Sequence, residues 1–573
     1  MAGLNGGSHL SRGRIRLELG TVLTVILLGL LLVLIVYPLV LLFISSFQIA
    51  DPGQPASFGY SGWVEALTDP GIRSSIVNTF TLMIVHQSIA LVIAVFISWL
   101  IARTDLPWKS SLELGFWISF FLPTLPVVLA WVLISDPDFG LINQLILNLF
   151  PNLDKGPFNI YSWWGIVWVH LVTSTIGIKV MILTPAFKNL DGSFEEASYT
   201  VGDSMIGALR KIVIPILLPA ISVVTLMSVM RALESFEIEL FLGIPIGLDV
   251  YTTKIYRLIH QDPPHFSAAT ALSVLMIVAM IPLILLQRWI GQRNSYSTVS
   301  SHYNNTLLQL GRWKWPAFIF VFIVVSFITI VPFLFLVLST FMSYFGLFSI
   351  SSPWTLSNWK MVLSDDTFVS SLFNTIGIGI GVVILSILLC IPIAYIAVKT
   401  KIRFRSVIDF ISWLPFTLPG IILGLAFLWM TLEVPFMRPL YGTIFSLIIV
   451  VTLSAMTLNV QIAKSSLAQI DRELEESSWV SGGSWMSTFK DVLFPLISQT
   501  VIVIGLVSFI SAARNVSQIV LISTNKSMPL SLLQLNYMVD GRYEAGAVIG
   551  LIVVLMTIVV ALCLRKMGAK IFD

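Results

Sequence analysis

Charge is what this chain has least of. Only 11% of its 573 residues are Asp, Glu, Lys or Arg, whereas a soluble domain carries roughly 25%. Such a composition cannot cover a water-facing surface, which excludes a soluble globular protein. Cysteine is scarce as well. Cys390 and Cys563 both lie inside apolar runs and read as small buried hydrophobes, not as a disulfide or thiolate metal site. No G-x-x-x-x-G-K-[ST] loop occurs, so the chain has no phosphate cradle of that type. Nucleophile–base pairs and metal-ligand spacings are also missing, which argues against an intramembrane enzyme and leaves any metal ligands unknown. His86 and His170 stand apart in the sequence and read as packing or hydrogen-bonded residues. Nothing in the composition points to a nucleic-acid partner.

What is abundant is apolar sequence: 56% of the residues are hydrophobic and the mean hydropathy is +0.92. Runs long enough to span a bilayer recur about twelve times. They lie near 22–47, 78–102, 116–134, 164–183, 212–230 and 268–286, then near 317–339, 372–398, 407–430, 443–463, 492–511 and 545–564. The first run ends without a small-residue cleavage site and reads as a transmembrane helix, not a signal peptide. The expectation is an all-α integral membrane protein in contact with the lipid bilayer. Its parts are an N-terminal tail at 1–20, a first membrane domain at 21–287, a polar linker at 288–315 and a second membrane domain at 316–573.

Lys and Arg set the orientation. With both termini in the cytoplasm, about 22 of the 33 basic residues fall on the cytoplasmic side and about 10 outside, as the positive-inside rule favours. The halves also repeat each other. Asn78-Thr79 matches Asn374-Thr375, Arg103-Thr104 matches Lys399-Thr400, and Phe121-Leu-Pro-Thr-Leu-Pro126 matches Leu414-Pro-Phe-Thr-Leu-Pro419. An even number of spans per half makes these parallel repeats, with a pathway expected between them.

The most specific repeat is polar. Glu196-Ala-Ser-Tyr-Thr-Val-Gly202 leads to Ile212-Val-Ile-Pro215, and Glu476-Ser-Ser-Trp-Val-Ser-Gly482 leads to Val492-Leu-Phe-Pro495. Glu, Gly and Pro keep identical spacing, and each copy sits between the fourth and fifth spans of its half on the expected cytoplasmic side. Gly permits a left-handed end to a short helix, and Pro is tolerated where the next helix starts. Glu195 and Glu475, just upstream, are further contributors.

This pattern resembles the Glu-Ala-Ala-x3-Gly signature of inner-membrane permeases of binding-protein-dependent ABC importers. The resemblance implies a type I permease fold in two parallel six-helix repeats, built without cofactors of its own. It implies docking of two copies of a cytoplasmic ABC ATPase, which carry ATP and Mg, and delivery of cargo by a periplasmic or extracellular binding protein. The chain would be a transport subunit and not an enzyme, in a bacterial inner membrane. Glu195, Glu196, Ala197, Gly202 and Pro215 would couple to one ATPase. Glu475, Glu476, Ser477, Gly482 and Pro495 would couple to the other. Ser198, and Ser477 with Ser478, depart conservatively from the signature.

Further blocks resemble fused ferric-iron-type permeases: Arg231 to Pro245, Tyr251 to Arg257, Phe509 to Arg514, Pro529-Leu-Ser531, Gly541-x-x-Glu544, and Tyr296 to Ser300 in the linker. They imply Fe(3+) as cargo, although thiamine, polyamine and aminoethylphosphonate permeases share parts of the pattern. Arg231, Glu234, Glu237 and Arg514 are candidates for an outer gate or cargo path, because ionisable groups near spans are functional by default. Their other reading is a set of interfacial ion pairs. An ion-coupled secondary transporter is the alternative of another class. It needs ionisable groups deep in its spans, for which Lys179 and Arg231 are the nearest candidates and read as peripheral.

Overall fold

The computed structural model describes residues 22–49, 57–293, 307–348 and 350–566. The expected N-terminal tail and the Tyr296 to Ser300 stretch of the linker lie outside these residues. Among the described residues, eight helices are long and apolar enough to cross a membrane, and twelve spans result when each of four bent pairs counts once. The chain is therefore an all-α multi-pass membrane protein.

In half one we label α1 (Val22–Ser45), α2 (Pro70–Arg103), α3 (Lys109–Phe121), α4 (Thr124–Ser135), α5 (Trp163–His170), α6 (Ile176–Lys188), α7 (Ser193–Thr200), α8 (Ile214–Leu233), α9 (Glu237–Leu242), α10 (Tyr251–His260) and α11 (Phe266–Gln287). Half two contains α12 (Gly311–Thr340), α13 (Asp366–Lys399), α14 (Arg405–Thr417), α15 (Gly420–Glu433), α16 (Ile444–Ala468), α17 (Arg472–Val480), α18 (Ser498–Arg514), α19 (Leu530–Val539) and α20 (Tyr543–Cys563).

The second spans start earlier than hydropathy suggests, because polar residues cap them. Asp69 accepts hydrogen bonds from the Gly71 and Ile72 amides at 2.6 and 3.0 Å, and Pro70 occupies the first turn, where its missing N–H costs nothing. Asp365 caps α13 in the same way through the Thr367 amide at 2.8 Å.

The third spans are not straight. The pair α3–α4 bends by 105° and the pair α14–α15 by 111°, both at the repeated Leu/Pro/Thr segment. A residue before proline is pushed out of the helical region. Leu122 sits at φ −76°, ψ 120° before Pro123, and Leu418 at φ −104°, ψ 124° before Pro419. The continuous apolar runs at 116–134 and 407–430 are thus corrected to broken spans, the kind of helix that forms pathway sites at repeat interfaces.

The two halves interlock. The end of α1 packs against α15 of half two, and the end of α12 packs against α4 of half one. The second span packs on the fourth in each half, α2 on α6 and α13 on α16. The repeat holds at the level of single hydrogen bonds. Thr79 Oγ1 accepts the Tyr251 amide at 2.8 Å, and Thr375 Oγ1 accepts the Leu530 amide at 2.8 Å. Where the linker re-enters the described residues it docks beside the end of α2. Leu308 donates to the Arg103 carbonyl at 2.9 Å, and Asp105 receives the Leu310 amide at 2.9 Å and Lys314 at 3.0 Å. The Leu310 amide, chiefly, holds the Asp105 carboxyl below the usual carboxylate range.

Candidate functional site: two matched coupling segments and a charged break

Each glutamate–glycine segment folds in the same sequence of steps. A short helix, α7 or α17, ends in a left-handed glycine, Gly202 at φ +90° or Gly482 at φ +87°. The glycine amide bonds back to the Tyr199 carbonyl in one copy and the Trp479 carbonyl in the other, each at 3.0 Å. Ser204 and Ser484 then cap the next turn through the Gly207 and Ser487 amides, each at 3.1 Å. A π-helical turn follows, at Leu209–Val213 and Phe489–Leu493, and Pro215 and Pro495 stand in the first turn of the helix after it.

The two adjacent glutamates of each copy have opposite fates. Glu196 and Glu476 are exposed, and Glu476 meets Arg472 at 3.5 Å on its own helix. Glu195 and Glu475 are buried, each 2% exposed. Arg103, itself 1% exposed, grips Glu195 Oε2 through Nε at 2.9 Å and a second nitrogen at 2.5 Å, and donates to the Leu190 carbonyl at 2.9 Å. In half two Lys399 lies 3.4 Å from Glu475 and donates to the Ile470 carbonyl at 2.5 Å. Tyr395 donates to Glu475 at 2.9 Å, and the Trp485 indole lies 3.3 Å from the same hydroxyl. A buried carboxylate needs such partners. The last basic residue of the second span therefore clamps the coupling segment in both halves. Tyr199 lies within electrostatic reach of this clamp, and its hydroxyl is pushed up to about 12 by burial first and by Glu195 second.

From the sequence alone Glu195 and Glu475 read only as contributors, and Arg103 and Lys399 only as repeat landmarks. The signal was present: a basic residue at matched positions ending an apolar run of both halves. Ala197 lies within α7, and Ser477 bonds back to the Leu474 carbonyl at 3.0 Å.

The copies differ in how the loop closes. In copy one Asp203 accepts Ser198 at 3.0 Å and Lys211 at 2.5 Å. These contacts, Lys211 first, hold its carboxyl below the usual range. Copy two has Gly483 in place of Asp203, and Ser478 pairs with Thr488 at 2.9 Å instead. Both copies present apolar side chains outward: Phe194, Val201 and Ile206 in one, Leu474, Val480 and Met486 in the other. Val201 is 86% exposed and Val480 90%, unusual for large apolar residues outside an interface.

Arg231, Glu234, Glu237 and Arg514 come together at the broken third spans, within electrostatic reach of one another. Arg231 and Glu234 meet at 3.5 Å, as three-residue spacing on a helix allows. Each arginine reaches across to the break of the opposite half. Arg514 lies over the Phe120 ring at 4.9 Å and donates to the Phe120 carbonyl at 2.9 Å. Arg231 lies over the Phe416 ring at 5.2 Å. The end of α3 presents unpaired carbonyls to the guanidinium, which suits its negative dipole end. Glu237, beyond the end of α8, joins Thr124, Arg514 and Gln534 around a cavity of about 10 Å³, room for one water. Gln518 of half two bridges to Glu234 at 3.1 Å.

His86 and His170 are packing and hydrogen-bonded residues, as expected, and they stand together: their rings stack at 4.3 Å with 6° between planes, and His170 Nε2 lies 2.7 Å from Glu239. One sequence reading needs correction: Lys179 is not peripheral, for it is 1% exposed and bonds to Gln87 at 2.5 Å. Burial in a span brought together residues that are distant in sequence.

The chain has clear relatives. The ferric transport system permease protein FbpB of Actinobacillus pleuropneumoniae is 28% identical, aligned over 94% of this chain and 77% of the relative. The putative ferric transport system permease protein FbpB 1 of Haemophilus influenzae is 27% identical over 86% of this chain and 76% of its own. The Fe(3+)-transport system permease protein FbpB 2 of the same organism is 21% identical over 95% and 98%. The family described as binding-protein-dependent transport system inner membrane component matches residues 90–296 and again residues 386–571. Each match takes in one coupling segment and its half of the charged break, so the chain belongs to that family, as a two-repeat permease of an ABC importer.

Proposed function

We propose that this permease moves Fe(3+) across the bacterial inner membrane, and that α7 and α17 are the helices through which two ATPase subunits drive it. The observation that carries the cargo reading is similarity to relatives named for ferric transport, at modest identity over most of both chains. The ATPase reading is supported by the matched pair of segments, each clamped to its second span and each showing exposed apolar residues beside an exposed glutamate. In this reading both termini and both segments face the cytoplasm, where the basic residues concentrate. Two ATPase copies hold ATP and Mg, and a binding protein delivers iron on the opposite face.

Closure of the ATPases pulls on α7 and α17. Because Glu195 is tied to Arg103 and Glu475 to Lys399, the pull passes into the second spans and not only into the loops. The arginines that cross between halves at the breaks are placed to act as the gate. Separating the halves would draw Arg514 off Phe120 and Arg231 off Phe416 together. The test is uptake of radiolabelled ferric iron by proteoliposomes that contain the permease, its ATPase and its binding protein. ATP-dependent iron uptake supports the proposal; ATP-dependent uptake of another solute with none of iron overturns the cargo.

A further inference from the structure

The connection between the third and fourth spans is long in half one and short in half two. It runs from 136 to 162 between α4 and α5, but only from 434 to 443 between α15 and α16. The added length contains a nine-residue helix, Leu141–Leu149, which packs against α4. Hydrogen bonds hold it at the mouth of two spans. Asn143 donates to the carbonyl of Asp136, directly after the last residue of α4, at 2.8 Å and to the Phe158 carbonyl at 2.7 Å. The Asn143 oxygen accepts the Phe158 amide at 3.0 Å. Shortly before α5 begins, Ile160 donates to the Ser135 carbonyl at 3.1 Å. Gln144 donates to the Phe139 carbonyl at 2.8 Å and to the Gly346 carbonyl of half two at 2.9 Å.

This helix is turned partly inside out. A helix on a water-facing surface buries its apolar stripe and exposes its polar one. Here Ile142 packs inward, but so do the polar residues: Asn143 is 1% exposed and Gln144 is half-buried. The outward stripe is leucine. Leu145 is 52% exposed and Leu149, one turn on, 73%, with Asn148 at the edge of the stripe. Phe150, Leu153 and Phe158 extend the exposed apolar surface. The helix itself carries no Asp, Glu, Lys or Arg. A patch of this kind marks a contact with a partner or a membrane.

Depth and charge decide between the two. The bonds to Ser135 and Asp136 tie the stretch to the end of one span, and Trp163 opens the next. It therefore lies at the level where hydrocarbon gives way to headgroups. Tryptophan favours that layer. Trp163 and Trp164 pack edge to face at 4.8 Å, and Trp164 is 66% exposed. The apolar patch thus continues into the bilayer-facing surface at the start of α5. Between Phe139 and Trp164 the only charged residues are Asp154 and Lys155. They cancel, so the patch has no field with which to steer a charged protein surface. The shorter half-two connection also turns an aromatic residue outward, Phe436 at 75% exposed.

We propose that the stretch from Leu141 to Trp164 is an interfacial membrane anchor, in which Leu145, Leu149 and Phe150 enter the acyl boundary of a phospholipid leaflet. The leaflet is the one opposite the coupling segments, because the bent pair α5–α6 separates this stretch from α7. The anchor is independent of the cargo and of the gate. It fixes the depth of the loop that joins α4 to α5, next to the broken third span of half one. Through Gln144 it passes the same restraint to the chain that follows α12 of half two. Gly156 lets the loop cross the helix closely, since a Cβ there would run into the Asn143 side chain.

The test uses the full-length chain in phosphatidylcholine nanodiscs. Nitroxide labels are placed singly at Leu145→Cys, Leu149→Cys and Asp154→Cys, in a background of Cys390→Ala and Cys563→Ala. Each label reports collisions with oxygen, which concentrates among acyl chains, and with a nickel chelate, which stays in water. The oxygen-to-nickel ratio should be about threefold or more higher at 145 and 149 than at 154. Equal ratios, or labels shielded from both reagents, would overturn the anchor. So would a water-like ratio at 145 and 149 that changes only when the binding protein is added, which would assign the stripe to protein docking. The unsubstituted chain gives a second reading. Phosphatidylcholine with a diazirine in the upper part of its acyl chain should leave adducts on 141–150 after illumination. Adducts on the spans with none on 141–150 would overturn the anchor in a chain that carries no substitution.

Discussion

Arg103 grips Glu195 with two guanidinium nitrogens at 2.5 and 2.9 Å while also holding the Leu190 carbonyl. The corresponding Lys399 reaches Glu475 at 3.4 Å and shares it with Tyr395. Arginine presents a planar fork and lysine a point charge, so one fold makes the two clamps differently.

Removing either basic residue strands a buried carboxylate. Arg103→Met should destabilise the half-one segment by about 3–5 kcal/mol, and Lys399→Met by less, because Tyr395 still bonds Glu475. Hydrogen exchange of 190–204 and 470–484 measures both. Equal loss in the two variants would argue against the difference between the clamps.

Gly202 and Gly482 are at positive φ, with open space where a Cβ would stand. Gly202→Ala and Gly482→Ala should therefore cost only backbone strain, about 1 kcal/mol each, and no clash. Thermal unfolding of the single and double variants should show small, additive shifts. A large loss from either substitution would contradict the open space around these glycines.

Val201→Asp and Val480→Asp place charge on side chains that are already in solvent. Stability of the isolated permease should stay within about 0.5 kcal/mol, while co-purification of the ATPase falls sharply. Unchanged co-purification in the double variant would remove these residues from the docking surface.

Asp203 carries its depressed carboxyl in copy one only. A depressed folded-state value means that the Lys211 contact contributes fully above the ordinary carboxylate range. The contribution is lost as pH falls through the depressed value. Acidification should thus loosen 200–211 before it loosens 480–491, which lacks this pair. Exchange rates of the two segments across acid pH check the order.

At the breaks, Arg514 makes a hydrogen bond as well as a ring contact, whereas Arg231 is 56% exposed. Arg514→Ala should impair transport more than Arg231→Ala. Uptake rates in proteoliposomes decide, with Arg514→Lys expected to recover only part of the loss because it cannot reproduce the fork.

Much of this was legible in the chain. Hydropathy found the spans because a lipid-facing helix must be apolar along its length. The repeat found the coupling segments because a left-handed turn calls for glycine at one position. Three things were hidden. The 105° and 111° bends fall inside continuous apolar runs, and hydropathy does not register backbone angles; the Leu/Pro/Thr repeat carries that information only in its prolines. The choice between Glu195 and Glu196 depends on which helix face meets α2, which spacing within a short polar segment does not decide. The stacking of His86 on His170 joins different spans, and no local pattern marks it.

The exchange of first spans between halves also sets an order of assembly during synthesis. When the ribosome has completed α11, the face of α4 that α12 will cover is still bare. It stays so until residues 311–340 enter the membrane. By contrast, the partner of α15 has been waiting since α1 was made. A chain truncated at the linker would therefore expose an apolar face on α4 that the whole chain buries against α12. Supplying the second half as a separate polypeptide should restore the fold, provided that its α12 can reach that face before another copy of half one does.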